Sequence, residues 1–277
     1  MKILITGLEN SLAKYIYCYF KNEHNIYVFN NETLDSSDKN LCFNVITNIN
    51  PNIVIHCETM DNMESCEKNE SSAYKVNTIG TLNIAYPCSI LDIPIIYLST
   101  SYVYSGEKNS SYFETDDCKP VNIYGKTKLS GERLIRTLCK KYFILRCGWI
   151  FGTENCFVRK IIKNMNVPIL FCSTEIGNPT YAEDLCILIK EMLQSNLYGI
   201  YNCGNDNAIN KTVFVKELMN FCKVKKNILE LPRSINLSIA PRPKNCSLNM
   251  SLIKNCFNVN FPFWEDRLKE YISNNLL

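Results

Sequence analysis

The chain is poor in glycine, with 10 among 277 residues, and poorer still in histidine, with only His24 and His56. Neither histidine stands near a cysteine cluster, and no two cysteines have CxxC spacing, so no structural zinc or other metal site is expected. No apolar run reaches the roughly 18 residues that a membrane-spanning helix needs. The net charge of +3 is small and unclustered, which removes the electrostatic case for nucleic acid or a membrane surface as partner. Internal repeats and low-complexity linkers are missing too, so a solenoid is not expected. What is present is ordinary for a globular chain: 46% hydrophobic and 21% charged residues, enough to bury a full core without staples. The 15 cysteines are scattered singly, many inside apolar periodic stretches (Cys18, Cys139, Cys186, Cys222). They read as buried free thiols. The opening residues enter a strand at once rather than a signal-peptide pattern, and the expected location is the cytoplasm.

Short apolar runs alternate with helical patterns. Strands are expected at Ile3–Thr6, Ile26–Phe29, Ile53–His56, Ile93–Ser99, Tyr142–Arg146 and Ile169–Phe171. Helices are expected near Ser11–Phe20, Ser71–Ile90, Ile123–Lys140 and Phe157–Asn164. Strands apolar on both faces and separated by helices imply an α/β fold: a Rossmann-like parallel sheet with helices on both faces. After about residue 170 the rhythm loosens. Helices near Tyr181–Gln194 and Lys211–Phe221 flank a short strand at Gly199–Asn202, the Pro-bearing stretch LPRSINLSIAPRPKN follows, and a helix from Trp264 to about Ser273 closes the chain. The expected division is a dinucleotide-binding domain over 1–170, with some later segments packing back on it, and a smaller, mainly substrate-binding lobe over 171–277.

Two stretches carry chemistry. The fourth strand ends IIYLSTSYVYSG, and NIYGKTKLSGERL follows downstream. Tyr124 and Lys128 stand four apart, so on a helix they share a face. An ammonium beside a phenol favours the phenolate and lowers the tyrosine pKa from about 10 toward neutrality, which suits a proton donor. The spacing YxxxK occurs three times, at Tyr17/Lys21, Tyr104/Lys108 and Tyr124/Lys128. Only Tyr124 combines a helix start with a strand-end hydroxyl upstream, Thr100, placed to hydrogen-bond the same substrate oxygen.

These stretches resemble the extended short-chain dehydrogenase/reductases, and within them the dTDP-4-dehydrorhamnose reductases. STSYVYSG, ETDDCKPVNIYGKTKLSGE, RCGWIFG, EIGNPTYAEDL and APRPKNCSL are similar to five motifs of that family and fall in its order. The resemblance implies reduction of the C4 keto group of a 4-keto-6-deoxy nucleotide sugar by NADPH or NADH. Tyr124 would protonate O4, Lys128 would tune Tyr124 and hold the cofactor ribose, and Thr100 would orient the keto oxygen. Ser101, which replaces the family's usual aspartate, and Trp149 would meet the sugar; Arg242 would meet its diphosphate. The competing readings are core packing for Trp149 and a solvated loop arginine for Arg242. Asn77 matches the family's helix asparagine. The cofactor would lie against Gly7, Asn10, Ser11, Leu12, Asp35, Cys57, Tyr124 and Lys128. Extended reductases of this kind often dimerise, so a homodimer is the assembly implied.

The chain departs from the pattern in two places. The family's G-x-x-G-x-x-G loop keeps only Gly7; Asn10 and Ala13 stand at the other two positions. Asparagine tolerates positive φ and alanine is small, so a loosened but working phosphate cradle is expected, with weaker cofactor binding. The segment HCETM carries Glu58 where the family has a small residue, and a carboxylate pointing inward there would oppose the pyrophosphate. Past the second strand, Asn30 and Asn31 offer neither the acid of an NAD site nor the base of an NADP site, and the reading leans to NADP. Two alternatives stand beside the reductase. One is a non-catalytic regulatory or binding subunit on the same fold. The other is an epimerase or epimerase–reductase, which needs a further acid/base pair for which His56 and Cys147 are the conceivable residues.

Overall fold

The computed structural model describes residues 1–163, 169–172, 175–224, 228–231 and 239–275. The chain opens with β1 (Lys2–Thr6), α1 (Ser11–Phe20), β2 (Asn25–Phe29), α2 (Lys39–Ile49) and β3 (Ile53–His56). Then come α3 (Met63–Lys68), α4 (Glu70–Tyr74), a π-helical stretch over Lys75–Gly80, α5 (Thr81–Ile90) and β4 (Ile95–Thr100). After a short turn at Ser101–Val103 follow α6 (Ile123–Leu138), β5 (Tyr142–Cys147), β6 (Trp149–Phe151), α7 (Phe157–Lys163) and β7 (Ile169–Cys172). The remainder is β8 (Ile176–Gly177), β9 (Pro179–Tyr181), α8 (Ala182–Met192), β10 (Gly199–Cys203), β11 (Ile209–Asn210), α9 (Lys211–Phe221), β12 (Ile228–Leu231), α10 (Ser251–Cys256) and α11 (Trp264–Asn275).

Six strands form one parallel sheet in the order β10-β5-β4-β3-β1-β2. Alternation along each strand assigns its two faces. Ile3, Ile5, Ile53, Ile55, Ile96, Leu98, Phe143 and Leu145 face α1 and α8. Leu4, Val54, Ile95, Tyr97 and Ile144 face α2, α5 and the end of α6. Helices therefore cover both faces, as a fully buried parallel sheet requires. The chain runs outward from β1 to β2, then returns to the other side of β1 as β3. That reversal is a topological switch point, where a crevice opens beyond the carboxyl ends of β1 and β3. A third apolar cluster (Phe151, Tyr181, Phe214, Leu218, Trp264, Leu268, Tyr271) packs α9 and α11 against β6 and β9.

The sheet differs from expectation in detail. The fourth strand starts at Ile95, because the Ile93 N–H still closes on the Cys88 carbonyl at the end of α5. The strand at Ile169 is present but pairs with β12, outside the main sheet, while β10 supplies the sixth strand. The single helix expected over Ser71–Ile90 is interrupted at Lys75–Gly80, where the π-helical stretch turns Asn77 inward. The Asn164 end of the expected Phe157–Asn164 helix and residues 232–238 of the Pro-bearing stretch lie outside the described residues. Helices α2 and α3 have no counterpart among the expected elements. The 14 cysteines whose side chains are described are free thiols.

Candidate active site

Gly7 makes the first turn out of β1. Its φ of +76° lies in the left-handed region, and a Cβ there would stand 2.4 Å from the Glu58 Cα. Both constraints require glycine. Asn10 does something other than expected. Its φ is −72° and ψ 129°, an extended conformation, and its side-chain oxygen accepts the Leu12 N–H at 2.9 Å. It is the N-cap of α1 rather than a positive-φ turn residue. Ala13 is fully buried on the inner face of α1. Ser11 Oγ bonds Thr153 Oγ1 at 2.9 Å, tying the helix start to the segment after β6. The opening of α1 still presents backbone amides and the positive end of its dipole to the crevice.

At the other end of the crevice, β4 delivers Thr100 and α6 delivers Tyr124. The Thr100 Oγ1 accepts the Tyr102 N–H at 3.2 Å, and its hydroxyl faces the Tyr124 phenol. Asn122 caps α6 by accepting the Gly125 N–H at 2.8 Å and donates to the Pro241 carbonyl at 2.9 Å. A Cβ on Gly125 would lie 2.2 Å from the Tyr102 carbonyl oxygen, so glycine is what lets the first turn of α6 approach the end of β4. Lys128 is 1% exposed, with Nζ 4.0 Å from the centre of the Tyr97 ring. Asn77 commits its whole amide: Oδ1 accepts from Met60 N (2.7 Å) and Thr59 Oγ1 (3.1 Å), and Nδ2 donates to the Met60 carbonyl (3.1 Å) and Thr127 Oγ1 (2.9 Å). It pins the loop after β3 to α6. Beneath, Glu132 of α6 and Arg146 of β5 form a buried pair at 2.7 Å, and Ser99 donates to the same carboxylate.

The electrostatics correct the expected mutual tuning. Burial is the main influence on both partners: it pushes the Tyr124 phenol up, not down, and the Lys128 ammonium down to about 7. At neutral pH Tyr124 is thus a protonated phenol within reach of Thr100, the form a proton donor needs. Cys57 is a buried thiol, pushed by desolvation up to about 12. His56 sits inside the fold, with Nδ1 2.7 Å from Thr6 Oγ1 and Nε2 3.1 Å from Thr81 Oγ1, and desolvation holds it down at about 3.

One cleft of about 430 Å³ joins the two ends. Its walls include Asn10, Ser11, Leu12, Cys57, Thr100, Ser101, Tyr124, Trp149 and Arg242. Gly7 and Lys128 lie behind the wall. Asp35 is outside it, in an exposed turn where its Oδ1 accepts the Ser37 N–H at 2.9 Å. His56 and Cys147 do not line the cleft. Glu58 does not line it either; the residue is buried, with Ser36 beside its carboxyl.

The outer wall carries residues that the motifs alone did not single out. Glu175 is buried; it accepts from Tyr102 and from Trp149 Nε1 at 3.2 Å, and pairs with Lys211 at 3.2 Å. Lys211 Nζ also lies 4.9 Å from the Trp149 ring centre. Trp149 is therefore held edge and face at the cleft wall, 8% exposed. Arg242 pairs with Glu64 at 2.9 Å, and Lys160 lies on the same wall. Glu175 falls inside the EIGNPT motif, so a signal existed; Lys211 and Lys160 had none.

The whole chain, residues 1–276, matches the family model described as the RmlD substrate binding domain. A dTDP-4-dehydrorhamnose reductase of Aggregatibacter actinomycetemcomitans is 29% identical, over 97% of this chain and 97% of the relative. The crystal structure of a dTDP-4-dehydrorhamnose reductase from Bacillus anthracis in complex with NADP superposes with a TM-score of 0.93 at 30% identity, covering 99% of both chains. A dTDP-4-dehydrorhamnose reductase ortholog from Clostridium acetobutylicum gives 0.94 at 27% identity, covering 100% of both.

Proposed function

The chain belongs to the family of the RmlD substrate binding domain, and on that premise we propose that it reduces the C4 keto group of a 4-keto-6-deoxy nucleotide sugar with NADPH or NADH. The observation that carries this reading is the continuity of the cleft: the start of α1 and the Thr100–Tyr124 pair share one cavity. The residues present fit a dinucleotide. Gly7 gives the close approach at the switch point, α1 turns its capped N-terminus to a diphosphate, and Leu12 and Cys57 form a small apolar floor. Asn10, Ser11, Tyr124 and Lys128 complete that contact, with Asp35 at the adenosine end. When bound, the cofactor supplies the hydride.

The chain's own groups do the rest. Thr100 holds the keto oxygen beside the Tyr124 hydroxyl. Tyr124 gives its proton to O4 as C4 gains the hydride, so the carbonyl becomes an alcohol and a transient phenolate is left on Tyr124. The buried Lys128 ammonium lowers the cost of that phenolate. Trp149, held by Glu175 and Lys211, forms a face for the sugar beside Ser101. Arg242, with Lys160 and Lys211 on the same wall, meets the sugar diphosphate. In this reading the first 170 residues bind the cofactor and the remainder mainly the substrate.

Among the described residues no helix is long and apolar enough to cross a membrane. The reading carries with it a cytoplasmic enzyme and a homodimer, the latter checked by light scattering of the purified chain. The decisive experiment supplies a dTDP-4-keto-6-deoxyhexose with cofactor deuterated at the transferred position. Deuterium at C4 of the product is expected. Recovery of unchanged sugar, or of an epimer with no deuterium, would contradict the proposal.

A further inference from the structure

The stretch 239–246, which carries Arg242, is fastened to the fold at several points. Toward its end the ties are backbone pairs: the Ile176 N–H donates to the Lys244 carbonyl at 2.8 Å, and the Asn245 N–H donates to the Gly106 carbonyl at 3.1 Å. Midway, Asn122 donates to the Pro241 carbonyl at 2.9 Å. At its start one side chain takes several donors at once. Glu64, in the first turn of α3, accepts the Ile239 N–H (2.8 Å) and the Ala240 N–H (3.2 Å) on Oε2, and Arg242 Nη2 (2.9 Å) on Oε1. Arg242 also lies against Met63 Sδ on the same turn.

Helix α3 is itself held in place. Its N-cap Asn62 accepts the Ser65 N–H at 2.9 Å, Cys66 is fully buried in a small cluster with Ile123, and Glu67 accepts the Ile123 N–H at 2.9 Å. With Glu67, α3 grips the start of α6; with Glu64, it grips the strap 239–242. Glu64 and Arg242 line the cleft together with Lys160 and Lys211. The Glu64 and Arg242 side chains are 35% and 30% exposed, a setting in which an ion pair adds little to stability. What the pair fixes is geometry. A guanidinium has five N–H donors, so an arginine held by a carboxylate can still meet a diphosphate. Holding the side chain beforehand removes part of the ordering cost of binding.

We propose that Glu64 is a positioning residue for the substrate: it closes the strap 239–242 onto α3 and presents Arg242 to the diphosphate of the nucleotide sugar. This rests on the reading above that the cleft takes such a sugar. Its signature lies in binding rather than in proton transfer, because what Glu64 holds is the arginine and not the phenol.

Calorimetric titration of the full chain with dTDP, which has the diphosphate and no keto group, tests this apart from turnover. Glu64→Ala should weaken dTDP roughly tenfold. Glu64→Gln keeps one acceptor and loses the charge, so it should weaken dTDP less; Glu64→Asp keeps both oxygens and should weaken it least. In an Arg242→Ala background Glu64→Ala should add almost nothing, since its effect passes through the arginine. With the keto sugar, KM should rise by a similar factor while kcat falls far less. Retained NADPH binding shows that each variant is folded; were the alanine variant not to fold, the Gln and Asp variants carry the same test. Unchanged or tighter dTDP binding in the Glu64 variants overturns the inference, and so does a full further loss in the Arg242→Ala background. Wild-type protein that binds no dTDP overturns both this inference and the substrate reading. Wild-type protein that binds dTDP but reduces no keto sugar overturns the reductase reading alone, and the dTDP affinities still decide the role of Glu64.

Discussion

The two ends of the cleft are built in opposite ways. At the catalytic end nearly every polar group is buried and committed: Asn77 in four hydrogen bonds, Glu132 to Arg146 and Ser99, Lys128 to the face of Tyr97. Such a network holds Thr100 and Tyr124 in place, as the proton transfer proposed for them requires. The cofactor end is held by one required glycine, a side-chain cap and exposed carboxylates. A reacting carbonyl needs one geometry. A diphosphate needs amides and a dipole, which a helix start provides with or without further glycines. That difference explains how one end matches the family's motifs while the other has drifted from them.

The largest effect is expected at Tyr124. Tyr124→Phe removes the acid without disturbing the cap or the cleft floor, and turnover should fall by roughly 10²–10⁴-fold with cofactor affinity nearly unchanged. Steady-state rates beside a fluorescence titration read both quantities; equal losses in the two would show that Tyr124 holds cofactor rather than donating a proton. Glu132→Ala comes next. It leaves Arg146 buried without its partner and should cost about 3–5 kcal/mol of stability, read as a lowered denaturation midpoint. A cost under about 1 kcal/mol would mean that the catalytic end is not rigidly supported.

At the cofactor end the effects should be smaller and of a different kind. Glu58 is raised from 4.5 to about 7, so its neutral form is favoured by folding. Its contribution to stability is complete below the unfolded value and is lost as pH rises through about 7. Glu9, Asp35 and Ser36 are the groups that face it, and the like charges sharpen that loss. Glu58→Gln should therefore flatten the decline of melting temperature between about pH 5 and about pH 8; an unchanged slope would place the titration elsewhere. The smallest effect is at Asn10. Asn10→Ala loses an N-cap and should cost about 1 kcal/mol, whereas Asn10→Gly should cost only a few tenths. A large loss from glycine would show that the asparagine does more than cap.

Much of this architecture was legible because buried parallel strands are written as continuous apolar runs. Ile53–His56 and Lys211–Phe221 fall where the pattern puts them. Helix α2 was not legible: only Cys42 and Ile46 of KNLCFNVITNI are buried, too few to mark a face, although Asp38 caps it as a side-chain acceptor for two amides. The π-helical stretch that turns Asn77 inward has no sequence period of its own. Within the site, Thr100, Tyr124, Trp149 and Arg242 were found from motifs and do share the cleft. Glu175 and Lys211 meet only through the fold. Asn10 was misread because the same residue type serves both positive-φ turns and helix caps, and only the backbone angle separates them.

The most direct test is one sequence of additions to the wild-type protein: NADPH or NADH to saturation, followed by a dTDP-4-keto-6-deoxyhexose, with nicotinamide fluorescence recorded throughout. Saturable binding and then oxidation of the cofactor on addition of the sugar is the predicted result. A protein that binds no cofactor, or that binds it and leaves it reduced when the keto sugar is added, would contradict the claim that a loosened cradle and an intact proton donor work in one cleft.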